Sequence, residues 1–115
     1  MAQGDREKRR HARHLPPEEK VLEGQGFSYM LQDISISGMA IQTDYQFETG
    51  KIVGVGWGEA VNTQVEILNC RNLLFDSTFV KNRYSAHGNF LENIQESDIQ
   101  SLFNNLVSLK ITLTQ

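Results

Sequence analysis

Residues 53–67 read VGVGWGEAVNTQVEI and contain the clearest structural signal in the chain. Apolar side chains alternate with glycine or polar residues on both sides of the dipeptide Gly58-Glu59. A period of two is typical of a β-strand with one buried face. Glycine can supply a positive φ at the first position of a two-residue turn. The stretch therefore predicts two antiparallel strands joined by a hairpin at Gly58-Glu59.

The same alternation recurs along most of the chain, with turn signals about every ten residues. Further runs, each a candidate strand, occur at residues 27–31, 39–43, 73–79 and 84–90, with a turn at Lys81-Asn82 before the last of them. Many short strands separated in this way predict an antiparallel barrel or sandwich. Glycines within the strands fit the sharp bends of a small barrel, and they are Gly54, Gly56 and Gly88.

Near the C-terminus the period changes to that of a helix. Apolar residues occupy one helical face, namely Ile99, Leu102, Phe103, Leu106 and Val107. Ser97 and Gln100 match a capping box at the start of this segment. The pattern predicts a helix over about residues 97–109 that covers one opening or edge of the barrel, followed by a short strand within residues 110–115.

The composition fits one small domain. The chain has 115 residues, a net charge of -3 and a single cysteine, Cys70. One cysteine cannot form an intrachain disulfide, which excludes the disulfide-stapled secreted scaffolds. The chain lacks both a run of about 18 apolar residues that could span a membrane and the apolar stretch of a secretory signal. We therefore expect one soluble, cytoplasmic domain that makes no membrane contact.

The charge is distributed unevenly along the chain. Residues 1–20 contain six of the eleven Lys and Arg residues and four acidic residues, for a net charge of +2, whereas residues 21–115 have a net charge of -5. The first segment is also polar, contains both prolines and has no apolar period. These features favour a flexible basic arm over residues 1–20 and a folded acidic domain over residues 21–115.

Two short motifs offer groups for ligand binding. The arm contains R-x-x-x-R as Arg9 and Arg13, and D-x-S-x-x-G follows as Asp33, Ser35 and Gly38 between two predicted strands. Arginine side chains can bind phosphate, bind the edge of guanine or stack on a base. A carboxylate can accept hydrogen bonds from the N1–H and N2–H₂ groups of guanine, and glycine permits a positive φ or close approach of a ligand. Together the motifs fit a guanine nucleotide.

Signals for catalysis or metal binding are weak. Cys70 has no surroundings that distinguish it from a structural thiol, and the carboxylates are scattered along the chain. His11 and His14 come closest to a metal-ligand pair, and two ligands at this spacing do not make a zinc site. The phosphate-binding patterns G-x-x-x-x-G-K-[ST] and G-x-G-x-x-G are absent from the sequence. We therefore expect no enzymatic activity, no metal and no other cofactor.

The two motifs, in this order within a β-rich chain, resemble the PilZ domain family of bacterial receptors for the second messenger cyclic di-GMP. The resemblance covers nearly the whole chain, including the late strand that ends Gly88-Asn89-Phe90 and the acidic capped helix after it. It implies a six-stranded antiparallel β-barrel with a C-terminal α-helix, and an arm that folds over ligand on the outer surface of the barrel. Residues 71–83 form a longer stretch than the usual hairpin of the family.

The resemblance also implies roles for individual residues. Two arginines of the arm would bind phosphate and guanine by hydrogen bonds and stacking, namely Arg9 and Arg13. Two residues of the turn would read guanine edges, namely Asp33 and Ser35, and Gly38 would keep the turn open. Two neighbours are additional candidates for ligand contact, namely Arg10 and His14. The implied protein is a stand-alone receptor that passes the signal to an effector protein as its arm becomes ordered.

Two other functions are open at this point. The arm could bind an acidic protein without nucleotide, which would make the chain an interaction adaptor. It could also bind a nucleic-acid backbone, but the net charge of -5 over residues 21–115 opposes a broad electrostatic contact with a polyanion. We therefore favour cyclic di-GMP and an effector protein as partners, and we expect no nucleic-acid partner.

Overall fold

The computed structural model describes residues 11–73 and 84–113, which form seven β-strands and one α-helix. The strands, in chain order, are β1 (Val21–Gly24), β2 (Phe27–Ile34), β3 (Gly38–Thr43), β4 (Ile52–Trp57), β5 (Val61–Asn72), β6 (Tyr84–Phe90) and β7 (Lys110–Leu113). The α-helix, α1 (Glu96–Phe103), and a 3₁₀ turn (Leu106–Ser108) lie between β6 and β7.

The strands form one antiparallel sheet in the order β1-β2-β3-β6-β5-β4-β7, which curls into a nearly closed barrel. Two hydrogen bonds draw its two edges together. The Leu113 N–H donates to Gln25 Oε1 at 2.7 Å, and the Tyr29 hydroxyl donates to the Leu109 carbonyl oxygen at 2.9 Å. The predicted all-β barrel with a C-terminal helix is confirmed, with seven strands rather than six.

The additional strand, β1, was not evident in the sequence. It has four residues and lies at a sheet edge, paired with β2 from Val21↔Met30 to Gly24↔Phe27. A strand this short shows too little alternation to be recognised. The candidate strand at residues 73–79 and the turn at Lys81-Asn82 fall mainly within residues 74–83, outside the described ranges. What the structure shows is that β5 extends to Asn72, which pairs with Tyr84 at the start of β6.

The β4–β5 hairpin confirms both predicted strands and corrects the turn between them. Trp57 pairs with Val61, so the connection has three residues, Gly58–Ala60, rather than the two predicted at Gly58-Glu59. Gly58 has a φ of 60°, in the left-handed region that glycine adopts most easily.

The hydrophobic core lies inside the barrel and under α1. Trp57, Ile99 and Leu102 are fully buried there, and Trp57 Nε1 donates to the Asp98 carbonyl oxygen at 2.9 Å. Because Asp98 lies in the first turn of α1, this bond joins the helix to β4. In residues 11–73 and 84–113, no helix is long and apolar enough to cross a membrane.

The C-terminal helix is shorter than its sequence pattern indicated. It covers Glu96–Phe103 rather than residues 97–109, and Leu106 and Val107 belong to the following 3₁₀ turn. The helix ends where Asn105 leaves the helical region, at φ -154° and ψ 68°. Its start also differs from the predicted Ser97–Gln100 box, because Asp98 Oδ2 accepts a hydrogen bond from the Gln95 N–H at 2.9 Å.

Candidate functional site

A β-bulge in β2 sets the position of Asp33. The pairing of β2 with β3 shifts between Leu31, which lies opposite Ile41, and Asp33, which lies opposite Ala40. A bulge places one extra residue on its strand and re-aims the neighbouring side chains. Leu31 therefore points into the core, whereas Asp33 lies on the outer face of the barrel with its side chain 21% exposed.

Ser35 stabilises the turn that follows β2. Its side chain is buried, and its hydroxyl oxygen accepts a hydrogen bond from the Ser37 N–H at 3.2 Å and lies 3.1 Å from Ser37 Oγ. The Ser35 N–H donates to the Gly38 carbonyl oxygen at 2.8 Å. The hydroxyl predicted to read guanine is therefore engaged within the turn, and only the aspartate of the motif presents its side chain at the surface.

Gly38 is required by packing rather than by its backbone angles. It is the first residue of β3 and is not among the residues with positive φ, which in the described ranges are Gln25, Gly26, Gly50 and Gly58. A Cβ atom at Gly38 would lie 2.5 Å from the Gly88 carbonyl oxygen and 2.9 Å from Asn89 Oδ1. The structure adds a packing role to the predicted role of Gly38 in the turn, since its lack of a side chain lets β3 approach β6.

The arm is attached to the barrel at His14. The His14 N–H donates to the Ile34 carbonyl oxygen at 2.8 Å, and the Ile34 N–H donates to the His14 carbonyl oxygen at 3.1 Å. His14, within the predicted arm of residues 1–20, is therefore paired with Ile34 at the end of β2. Two predicted ligand residues of the arm, Arg9 and Arg10, lie outside the described residues.

Arg13 joins the two sequence motifs. Its Nη1 donates to Asp33 Oδ1 at 2.5 Å, across a separation of 20 residues in the chain. The Arg13 side chain is 49% exposed. Exposed ion pairs contribute little to stability, commonly below about 1 kcal/mol, so this pair can open at small cost in free energy.

His87 completes this cluster and was not recognised as a site residue in the sequence. Arg13 Nη2 lies 3.0 Å from His87 Nε2. Because an arginine N–H can only donate, the imidazole must accept at Nε2 and carry its proton at Nδ1. Burial first, and then the Arg13 charge, lower the pKa of His87, against an opposing effect of Asp33. The sequence signal was the outward position of His87 between the buried residues Ala86 and Gly88, but only the sheet order places it beside Asp33.

Ala40 forms the floor of the cluster. Asp33 in β2 and His87 in β6 are both its cross-strand partners. Ala40 is 8% exposed, yet it alternates with the core residues Met39 and Ile41 and therefore faces outward. The Arg13 guanidinium, which bonds both partners of Ala40, therefore lies over this alanine. We call Arg13, Asp33, Ala40 and His87 the outer-face cluster.

His14 connects the arm with the helix. Its Nε2 lies 3.1 Å from Glu96 Oε1, at the first residue of α1. The contact is an ion pair when His14 is protonated. His14, predicted as an additional ligand residue, is thus held between β2 and α1, one residue from the Arg13 side chain that reaches the cluster.

A groove on the described surface lies elsewhere, along β4. It has a volume of about 920 Å³, and Gly54 and Gly56 form part of its lining. Its lining shares no residue with the outer-face cluster. Within residues 11–73 and 84–113, no group of three or more His, Cys, Asp or Glu residues could hold a metal ion.

The outer-face cluster can bind a ligand in two complementary ways. Asp33 and His87 present adjacent hydrogen-bond acceptors, while Arg13 supplies a planar cation that bonds both of them. Such a set suits a planar group with paired N–H donors together with a phosphate. No protein-family model, curated protein or solved structure matches this chain.

Proposed function

We propose that this protein is a non-catalytic receptor for cyclic di-GMP, of the PilZ type, that binds its ligand on the outer face of the barrel. The observation that carries the proposal is the contact between Arg13 and Asp33. R-x-x-x-R and D-x-S-x-x-G are separate in the sequence, and a receptor that uses both must bring them to one place. The Arg13–Asp33 contact supports that requirement.

The charges and donors of cyclic di-GMP suit the groups at this site. The ligand has two phosphates, which bind cations, and two guanine bases, whose N–H donors bind carboxylate acceptors. Arg9 and Arg13 would bind phosphate and stack on guanine, and Asp33 would accept from a guanine edge. Ser35 and Gly38 would act by holding Asp33 in place, and Arg10 and His14 would adjoin the ligand.

The acidic body favours a small ligand over a long polyanion. Residues 21–115 have a net charge of -5, which opposes the approach of an extended phosphate backbone. A dianion bound next to the arm meets the cations of residues 1–20 instead. This local balance supports cyclic di-GMP over nucleic acid as the partner.

Signal transmission would use the arm. Phosphate binding by Arg13 would separate its guanidinium from Asp33 and His87. The next residue in the chain, His14, contacts Glu96 of α1. A change in the arm would then alter the surface around the start of the helix, where we place the effector. In such a coupling the arm has two arrangements, and the ligand shifts the equilibrium toward the arrangement that it binds more tightly.

Isothermal titration calorimetry tests the proposal. Wild-type protein should bind cyclic di-GMP with saturation, and Arg13→Ala and Asp33→Asn should each weaken binding by about 10- to 100-fold, the loss typical of a charge-assisted hydrogen bond. Lys110→Ala, which removes one positive charge from β7, is the matched control and should bind as wild type does. Folded wild-type protein that gives no saturable binding at high micromolar ligand would contradict the proposal.

A further inference from the structure

The Arg13 guanidinium links two acceptors that belong to different strands. One terminal nitrogen donates to Asp33 Oδ1 in β2, and the other donates to His87 Nε2 in β6. Between them lies Ala40 in β3, the cross-strand partner of both, whose side chain is a single methyl group. Asp33 and His87 therefore hold a planar N–C–N unit with two N–H donors, which here is the Arg13 guanidinium.

The Watson–Crick edge of guanine carries the same unit. Its N1–H and N2–H₂ donors are attached to one carbon, as the two terminal nitrogens of a guanidinium are. We propose that the Arg13 guanidinium occupies the position that a guanine base of the ligand takes, and that His87 reads this base together with Asp33. This inference rests on the proposed cyclic di-GMP function and adds to it a specificity residue and a competing internal group.

The protonation state of His87 makes it suitable for this role. Its Nε2 faces the Arg13 donor and must therefore be an acceptor, which is what a guanine N–H requires. Burial and the nearby Arg13 lower the pKa of His87, which favours the neutral ring that the contact with Arg13 requires. When Arg13 leaves, the carboxylate of Asp33 and the imidazole nitrogen are released together as a pair of acceptors.

The acceptor pair discriminates between purines. Adenine presents one donor, its amino group, next to an acceptor, N1, so one member of the Asp33–His87 pair would face a lone pair. A site built to pair with a donor rejects an analogue that lacks it more strongly than an apolar pocket can. Guanine should thus be preferred over adenine, and the preference should depend on His87.

The displaced arginine gains a new partner. Ligand binding exchanges the contacts of Arg13 with Asp33 and His87 for contacts with the ligand phosphate. Since the internal contacts must be broken first, they reduce the apparent affinity for ligand. They also keep Arg13 in place beside the site before the ligand arrives.

Calorimetric titration of four proteins with cyclic di-GMP and cyclic di-AMP tests this inference. The proteins are wild type, His87→Ala, His87→Gln and Ser85→Ala. His87→Ala should bind cyclic di-GMP about 5- to 20-fold more weakly, the loss of one hydrogen bond in a partly buried site. In His87→Gln the side-chain oxygen can replace Nε2 as acceptor, so affinity should return to within about threefold of wild type. Ser85 lies two residues away on the same face of β6, bonds Gln32, and is the matched control.

A second readout separates a binding role from a structural one. Wild type should bind cyclic di-GMP at least about 100-fold more tightly than cyclic di-AMP. His87→Ala should lower this ratio of affinities. Nitrogen NMR of the imidazole should show His87 Nε2 unprotonated both with and without cyclic di-GMP. Thermal melting of each variant confirms that it is folded before titration.

The outcomes distinguish this inference from the proposed function. If wild type and folded His87→Ala bind cyclic di-GMP equally well, with the same preference over cyclic di-AMP, the role of His87 is wrong and the receptor function stands. A proton found on Nε2 of the bound imidazole would also overturn it. If wild type binds neither nucleotide, the proposed function and this inference fail together.

Discussion

Gly38 in β3 and Gly88 in β6 lie so close that a Cβ atom on Gly38 would be 2.5 Å from the Gly88 carbonyl oxygen. This approach fixes where β3 begins beside β6, with Gly38 opposite Asn89 and Met39 opposite Gly88. The same register sets Ala40 opposite His87. The last residue of the D-x-S-x-x-G motif thus contributes to the outer-face cluster through strand pairing.

Replacement of Gly38 by alanine should destabilise the fold. The added methyl would contact a backbone carbonyl, which cannot move away without separating β3 from β6. We expect Gly38→Ala to lower the free energy of unfolding by about 1–3 kcal/mol, the range for overpacking in a well-packed region. Urea denaturation measures this change.

Gly54→Ala is the matched control for this prediction. Gly54 is also a strand glycine, but its nearest non-neighbouring atom to an added Cβ is Thr112 Cβ at 3.5 Å, an ordinary contact distance. Gly54→Ala should therefore leave the unfolding midpoint close to that of wild type. Equal effects of the two substitutions would show that the Gly38–Gly88 contact does not determine the stability of this region.

Replacement of Ser35 by alanine should loosen the turn between β2 and β3. The buried hydroxyl is the partner of the Ser37 N–H and also contacts the Ser37 hydroxyl. Its loss should lower the free energy of unfolding by about 1–2 kcal/mol. Ser101→Ala, at an exposed position of α1, should change it by less than about 0.5 kcal/mol. A Ser35→Ala protein as stable as wild type would exclude this structural role.

Much of the fold could be predicted from local sequence patterns, whereas the composition of the site could not. The alternation in residues 53–67 was sufficient to predict the two strands of the β4–β5 hairpin. Side chains alternate between the two faces of a strand whatever the strand pairs with, so the pattern can be read locally. The relation of Asp33 to His87 depends on the order β2-β3-β6 and on the bulge before Asp33. Sheet order and bulges arise from packing between distant segments. The sequence of β6 alone therefore does not indicate that His87 lies near Asp33.

The two motifs show the same limit in another form. R-x-x-x-R and D-x-S-x-x-G indicated that Arg13 and Asp33 act together, and the structure brings these two residues into contact. The motifs did not reveal that Ser35 is buried or that Gly38 is needed for close packing, because a motif gives residue types and not their surroundings. The attachment of His14 to Ile34 likewise depends on backbone hydrogen bonds that any residue except proline could make.

Acidification should destabilise the protein through His87. Its pKa is below the ordinary value of 6.5, so the folded protein takes up the proton less readily than the unfolded chain. Stability from the neutral ring is therefore complete above pH 6.5 and falls as the pH decreases toward the lowered pKa. Two charged groups act on His87, namely Arg13 from the arm and Asp33 from β2. Its cross-strand partners in β3 and β5, Ala40 and Asn69, are neutral.

Urea denaturation between pH 7.5 and pH 5 should show this loss in wild type and a smaller one in His87→Gln. An NMR titration gives the pKa of His87 directly, and Arg13→Ala should raise it, because a neighbouring positive charge is removed. A His87 pKa at or above 6.5 in the wild-type protein would contradict the neutral, accepting imidazole.

An NMR map of cyclic di-GMP binding on the ¹⁵N-labelled protein locates the ligand site residue by residue. We predict that the ligand shifts the backbone amide signals of Asp33, Ala40 and His87 in a saturable manner. The amide signals of Gly54 and Gly56, in the groove along β4, should stay unchanged. Absence of any shift at saturating ligand, or shifts confined to Gly54 and Gly56, would contradict a cyclic di-GMP site on the outer-face cluster.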